Sequence, residues 1–264
     1  MAYARAMPGS IRSRPRETLD TWDTPVVSVL PHDVHIWFQA TEALDDAAIA
    51  AAASVLSDDE RARYVRFHFA RDARDYAAAH ALLRTTLSRY TDRAPARWRF
   101  DKTEHGKPFL IDHDALHASF SLSHTRGMVA CAVTSDVDVG VDVECVDREV
   151  NAAAIAERFF APAETRLLRQ LGPDAQRDRF FDLWTLKEAL LKALGAGLTM
   201  PLASLVFSVD AAGGVALEAP ADIDTQLWQF GLFAPDPTHR LAVAARLLPA
   251  RPAQLIFRSI ARDT

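Results

Sequence analysis

The chain has 264 residues, a formal net charge of −5 and a pI near 6.0, which argues against a dedicated nucleic-acid binder, whose domain is usually basic. Its two cysteines, Cys131 and Cys145, are too few for a disulfide framework or a four-cysteine zinc site, and no apolar run approaches the roughly 18 residues that mark a membrane span. With 49% hydrophobic and 25% charged residues and no apolar signal core after the N-terminus, the chain reads as a globular protein of a reducing cytoplasm, long enough to bury a sizeable core.

Residues 1–30 mix arginines and prolines with little periodicity and read as a disordered extension. Order is expected from a strand over 34–38, followed by an alanine-rich helix over 45–56. Ser57 then stands as an N-cap with Glu60 three residues on, a capping box, and opens a helix that carries Arg61, Arg63 and Arg66. Tyr76, Ala79, Leu83 and Leu87 recur at helical spacing and predict a long helix over 71–90. A turn-rich stretch over 102–108 contains His105, Gly106, Lys107 and Pro108. Residues 119–123 alternate polar and apolar, and 128–133 read as their hairpin partner across a turn at 125–127. Over 137–143 the valines at 137, 139, 141 and 143 point one way; Asp138, Gly140, Asp142 and Glu144 point the other. Helices are expected over 152–159, 162–171 and 177–194, the last stopping at Gly195. Strands follow over 205–209, 215–218, 227–233 and 241–247. A boundary near residue 136 divides the ordered chain into halves, 31–136 and 137–250, and leaves 251–264 as a tail.

Charge is spread unevenly: residues 57–100 are rich in arginine and residues 136–150 in aspartate and glutamate. Such stretches suit a site that holds an anion through cations and a metal, and equally an ordinary variable surface. Of the 30 basic side chains only four are lysines, Lys102, Lys107, Lys187 and Lys192. Where arginine is the default, a lysine marks a place that wants a compact point charge. Asp142 and Glu144, two apart on a strand, share a face, so their charges repel unless a cation lies between them. Mg²⁺ commonly takes one or two carboxylates plus substrate phosphates; a bare D-x-E is otherwise most often a solvated strand face. Glu188 and Lys192 lie four apart on one face of a helix that is apolar on most other sides, with Lys187 and Trp184 beside them. A charged cluster on a mostly buried helix needs a partner, and a metal-bound phosphate would satisfy Glu188 and both lysines together. The Gly106-Lys107 turn lets backbone N–H groups and an ammonium approach an anion. Ser123-His124 closes a strand before a hairpin. Either pair alone is more often structural, and the hydrolase signature G-x-S-x-G does not occur.

In this order, GKP, SLSHT, GVDVE, FF-x-x-x-E and W-x-x-KEA-x-x-K-x-x-G-x-GL resemble the Sfp-type 4′-phosphopantetheinyl transferases over about residues 34–247, and AHALLR at 79–84 is similar to that family's N-terminal helix. The resemblance implies an α+β fold, a pseudodimer of two similar α+β halves with coenzyme A between them. It also implies transfer of the phosphopantetheine arm of coenzyme A to a serine of an acyl or peptidyl carrier protein, releasing adenosine 3′,5′-bisphosphate. Asp142, Glu144 and Glu188 would bind Mg²⁺ on the pyrophosphate, with Glu188 also the general base. Lys192 would contact the pyrophosphate, with Lys187 nearby. Lys107, Ser123 and His124 match positions that hold the nucleotide and its 3′-phosphate, and Gly106 and Pro108 would shape the adenine-side turn. Glu60 and Asp75 stand where the family carries basic residues, which leaves Arg63, Arg71 and Arg74 as candidates for the 3′-phosphate clamp. A monomer is expected, with neither nucleic acid nor membrane as partner. Two rival readings are a metal-dependent phosphohydrolase and a non-catalytic coenzyme A binder. The first would want a lysine two residues after the second acid, where Val146 stands. The second would have lost a metal ligand, and all three candidates are present.

Overall fold

The computed structural model describes residues 33–111, 116–135, 137–247 and 254–260; the extension 1–30 lies outside the described residues. In the first half, β1 (Asp33–Ala40) leads into α1 (Asp46–Ser54), α2 (Asp58–Tyr64) and α3 (Ala70–Ser88). A short hairpin of β2 (Phe100–Lys102) and β3 (Pro108–Leu110) follows, then a longer one of β4 (Ser119–Thr125) and β5 (Met128–Thr134). The second half repeats the plan. After β6 (Val139–Cys145) come α4 (Ala152–Phe159), α5 (Pro162–Arg169) and α6 (Pro173–Leu194), a small hairpin of β7 (Val206–Val209) and β8 (Val215–Glu218), and the pair β9 (Trp228–Phe233) and β10 (His239–Arg246). The strand orders β1-β5-β4 and β6-β10-β9 are the same. Each half is a strand, a helical crossover and a hairpin whose last strand lies in the middle, so the chain is an α+β pseudodimer.

Local chemistry sets the element ends. Ser57 accepts a hydrogen bond from the Glu60 backbone N–H at 3.3 Å, and its own N–H donates to Glu60 Oε2 at 2.9 Å, which closes the expected capping box. Helix α6 opens at Pro173, earlier than periodicity indicated, because a proline in the first turn has no N–H to lose there. It stops at Gly195, whose φ of 66° is left-handed.

Four layers result. Leu82, Leu83 and Leu87 of α3 pack on Trp37, Val129 and Cys131, the outer face of the first sheet. Leu186 and Leu190 of α6 pack on Ala242 and Ala244, the outer face of the second. The inner faces meet through Val34, Ile36, Val139, Val141, Val143 and Val243. Helix α6 lies so close to β6 that a Cβ on Gly140 would stand 1.9 Å from the Ala189 carbonyl oxygen.

The edge strands of the two sheets, β4 and β6, meet along a seam. The N–H groups of Val141, Val143 and Cys145 donate to the hydroxyls of Ser121, Ser123 and Thr125 at 3.0, 3.3 and 3.3 Å. Side-chain oxygens of β4 thus take the place of a backbone ladder for these N–H groups of the β6 edge.

The expected tail 251–264 needs correction. Within it, β11 (Gln254–Ser259) pairs in parallel with β1. Leu255 and Phe257 are buried, and the Phe257 ring lies 4.9 Å from Phe233 of β9. A parallel partner at the other end of the chain leaves no local pattern from which to read the pairing. Among the described residues no helix is long and apolar enough to cross a membrane.

Candidate functional site

The seam positions a polar hollow. Strand β6 supplies Asp142 and Glu144, α6 supplies Glu188 and Lys192 one turn apart, and the end of β4 supplies Ser123 and His124; these six side chains line a cavity of about 390 Å³. Lys192 Nζ donates to Asp142 Oδ1 at 2.7 Å and to Ser123 Oγ at 2.8 Å, and Ser123 Oγ donates to the same carboxylate oxygen at 2.9 Å. Glu144 Oε1 accepts from Trp184 Nε1 and from Arg148, each at 3.0 Å, and Thr125 Oγ1 donates to its Oε2 at 3.4 Å.

Burial first, and then the charge of Asp142, push the Glu144 carboxyl up to about 7, against the pull of Arg148 and Lys192. The same two causes raise Glu188, opposed by Lys192. His124 is shifted the other way. Desolvation of its ring comes first, then the positive charges of His80, Lys192 and Arg63, all of which disfavour the imidazolium. Burial is the first cause of all three shifts, so the two carboxyls resist ionisation and the imidazole resists protonation.

A second cavity of about 290 Å³ adjoins the first, with Glu188 and Lys192 lining both; Pro108, Phe120, Leu122 and Leu191 make it mainly apolar. Gly106 and Lys107 also line it. Lys107 Nζ donates to the Ala193 carbonyl at 2.6 Å and stands 3.5 Å from Asp138, while its stem packs on Gly195. The lysine therefore fastens the β2–β3 hairpin to the C-terminal end of α6, where a cation is favoured.

The other candidates separate. Lys187 is not in the hollow, contrary to the expectation that it would help hold a phosphate. It is wholly buried, ion-paired with Glu164 at 2.9 Å, bonded to the carbonyls of Leu202 and Leu205, and 4.9 Å from the Phe160 ring centroid. Adjacent helical residues diverge by about 100°, so the face that carries Glu188 and Lys192 cannot also carry Lys187. Arg74 donates to the Leu44 carbonyl and stands 3.5 Å from Asp46, which ties it to the start of α1. Arg71 is exposed and pairs with Asp72 at 3.3 Å. Arg63 lies over the Tyr76 ring at 5.4 Å, within electrostatic reach of His124. Asp75 is turned inward onto Thr41. Sequence reasoning missed the seam hydroxyls, Arg148 as a partner of Glu144, and a half-buried group in which Glu60 and His80 meet the buried Arg84. The polar phase of S-x-S-x-T on a strand was the one visible signal for the first of these.

Among the described residues no three His, Cys, Asp or Glu side chains are grouped to hold an ion by themselves. Lys192 and Ser123 engage Asp142 Oδ1, and Glu144 is held from both sides. Asp142 Oδ2, however, is buried without a hydrogen-bond partner, and Glu144 and Glu188 are both driven toward protonation. Oxygen donors in small number, with unmet negative charge, fit a hard divalent cation such as Mg²⁺ that draws its remaining ligands from substrate phosphate and water.

Residues 138–244 match the model of the 4′-phosphopantetheinyl transferase superfamily, and residues 44–136 match that of the 4′-phosphopantetheinyl transferase N-terminal region. The chain is 37% identical over 182 residues to the 4′-phosphopantetheinyl transferase HetI of Nostoc sp., across 67% of this chain and 76% of that one. It is 32% identical over 192 residues to the 4′-phosphopantetheinyl transferase Sfp of Bacillus subtilis, across 73% and 83%. Among solved structures it is similar to the holo-[acyl-carrier-protein] synthase of Thermotoga maritima, with 25% identity, coverage of 42% and 64%, and a TM-score of 0.35.

Proposed function

The chain belongs to the 4′-phosphopantetheinyl transferase family, and from that premise we propose that its site moves the phosphopantetheine arm of coenzyme A to a serine of an apo acyl or peptidyl carrier protein, with Mg²⁺ as cofactor and adenosine 3′,5′-bisphosphate as product. The supporting observation is the convergence of Asp142, Glu144, Glu188 and Lys192 on one hollow beside a mainly apolar cavity.

Displacement at phosphorus asks a protein for position and charge neutralisation rather than covalent chemistry. The carrier serine oxygen bonds to the phosphorus that bears pantetheine. The bond from that phosphorus to the bridging oxygen breaks, and its electron pair leaves with adenosine bisphosphate. The serine proton passes to Glu188, whose raised affinity for protons suits a general base. Lys192 offsets charge on the pyrophosphate. Asp142, Glu144 and Glu188 would hold Mg²⁺, which supplies charge neutralisation at the phosphoryl oxygens. His124, Ser123 and Arg63 face the nucleotide end, and Gly106, Lys107 and Pro108 wall the adenine side. Both walls of the hollow come from one chain, which accords with action as a monomer, and neither a cytoplasmic setting nor a soluble carrier requires more than the fold provides.

The test is the mass of an apo carrier protein after incubation with this protein, coenzyme A and Mg²⁺. The expected result is a gain equal to the phosphopantetheine arm, lost when EDTA is added. No gain on fatty-acid, polyketide or peptide carriers, with coenzyme A bound, would contradict the reading.

A further inference from the structure

The turn between β4 and β5 follows directly on the side chains that the first half gives to the hollow, and it is held from both halves of the chain. Ser123 and His124 line the hollow, and Thr125 Oγ1 accepts the Cys145 N–H at 3.3 Å. Two residues later the Gly127 carbonyl accepts the Thr41 N–H at 2.9 Å, which fastens the turn to the segment after β1. The second anchor is His239, the first residue of β10. Its Nε2 donates to the Arg126 carbonyl at 2.9 Å, and its Nδ1 lies 2.9 Å from both carboxylate oxygens of Asp236. Both partners are acceptors, so the ring donates from each nitrogen.

The ring is built into place. His239 is 6% exposed. Burial would raise the Asp236 carboxyl, but hydrogen bonds from His239 and Thr238 hold it below the usual carboxylate range. The Thr238 carbonyl accepts the Val146 N–H at 2.8 Å, so the loop that bears Asp236 is itself tied to the end of β6. Gly127 has a φ of 84°, and a Cβ there would stand 3.6 Å from the His239 ring, which therefore packs against the turn as well as bonding to it. The neighbouring contacts between the turn and β6 are weaker. Thr125 Oγ1 stands 3.4 Å from Glu144 Oε2, and Arg126 reaches the Cys145 sulfur, a weak acceptor, at 3.4 Å.

We propose that His239, oriented by Asp236, is a positioning residue for the transfer: it pins the β4–β5 turn to the second half and so fixes where Ser123 and His124 meet the donor nucleotide. His239 does not line the hollow and acts through the turn. A carboxylate on one ring nitrogen fixes the angle at which the other is presented. This inference rests on the proposed function, in which Ser123 and His124 face the nucleotide.

The test compares wild type with His239→Ala, His239→Gln and His239→Asn by steady-state kinetics with coenzyme A and an apo carrier, beside amide hydrogen exchange without substrate. The amide nitrogen of Gln reaches the place of Nε2 and can donate to the Arg126 carbonyl; that of Asn stands at the place of Nδ1 and cannot. His239→Ala and His239→Asn should raise KM for coenzyme A roughly tenfold, the effect of one lost charge-assisted hydrogen bond. Their kcat should stay within about threefold of wild type. His239→Gln should hold KM within about threefold of wild type. Exchange over residues 123–127 and at the Cys145 amide should quicken in the Ala and Asn variants and not in the Gln variant. A merely structural role would lower the folded fraction, and with it the apparent kcat, while leaving KM alone. That result, an unchanged KM in His239→Ala, or a KM raised as much in His239→Gln as in His239→Ala, would overturn the proposal. The expected exchange pattern in a protein that modifies no carrier would contradict the transferase reading and leave the pin standing. Transfer with the same exchange in all four proteins would overturn the pin alone.

Discussion

On α6, Lys192 reaches Asp142 and Ser123 in the hollow, whereas Lys187 is sealed against Glu164 with both side chains at most 1% exposed. The two lysines should therefore fail differently. Lys187→Met leaves the Glu164 carboxylate buried without its counter-charge and should cost roughly 3–5 kcal/mol, read as a lower urea midpoint, with kcat per folded molecule little changed. Lys192→Met should change stability by no more than about 1 kcal/mol, because its ammonium is partly solvated. It should lower kcat/KM roughly ten- to hundredfold through loss of a charge-assisted contact to phosphate. The reverse pattern would contradict the assignment. The sequence K-E-A-L-L-K shows that Glu188 and Lys192 share a face, and that part of the site was legible. The burial of Lys187 was not, because its partner belongs to another helix and its acceptors to a loop after α6. Arg71 and Arg74 looked as eligible as Arg63 for the same reason: the competing partners Asp72 and the Leu44 carbonyl appear only when α1 and α3 are packed together.

Strand β6 and helix α6 form the pair of elements on which the hollow depends, and Gly140 is where they touch. A methyl there would meet the Ala189 carbonyl oxygen at 1.9 Å and the Ala193 N at 2.5 Å. Both are backbone atoms that cannot rotate away, so α6 itself must shift. Gly140→Ala should destabilise by about 1–3 kcal/mol or more and should depress transfer even in the folded fraction, since Glu188 and Lys192 flank those two alanines. Chemical denaturation together with turnover per folded molecule checks this; a variant with wild-type stability and turnover would show that the helix sits farther out. The alternation V-G-V-D-V-E announced a strand with carboxylates on one face, and the structure places both carboxylates there. That the same face is roofed by a helix follows from tertiary packing. The phase of S-x-S-x-T was equally visible, but a polar strand face ordinarily meets water; here it meets the N–H groups of β6.

At the scale of the whole molecule, repetition of one strand order in the two halves would allow two equivalent seams. One is β4 against β6. At the other, the free edge of β1 is taken by β11, whose Leu255 and Phe257 pack toward Gly231 and Phe233 of β9. The pseudo-twofold is broken there, while the seam of β4 and β6 keeps its open hollow. Two similar halves were expected from the family resemblance, since no sequence repeat marks them; the repeated strand order is visible only in the folded chain. The closing strand was not legible, because parallel pairing between the ends of a chain is nonlocal. The proposed reading therefore expects one coenzyme A per chain. The most direct measurement is therefore made on Glu188→Gln, with donor titration and single-turnover transfer to an apo carrier followed in the same preparation. The account predicts one coenzyme A bound per chain with affinity within a few-fold of wild type, and transfer slowed by at least about a hundredfold through loss of the base. Transfer by Glu188→Gln within a few-fold of the wild-type rate would contradict it.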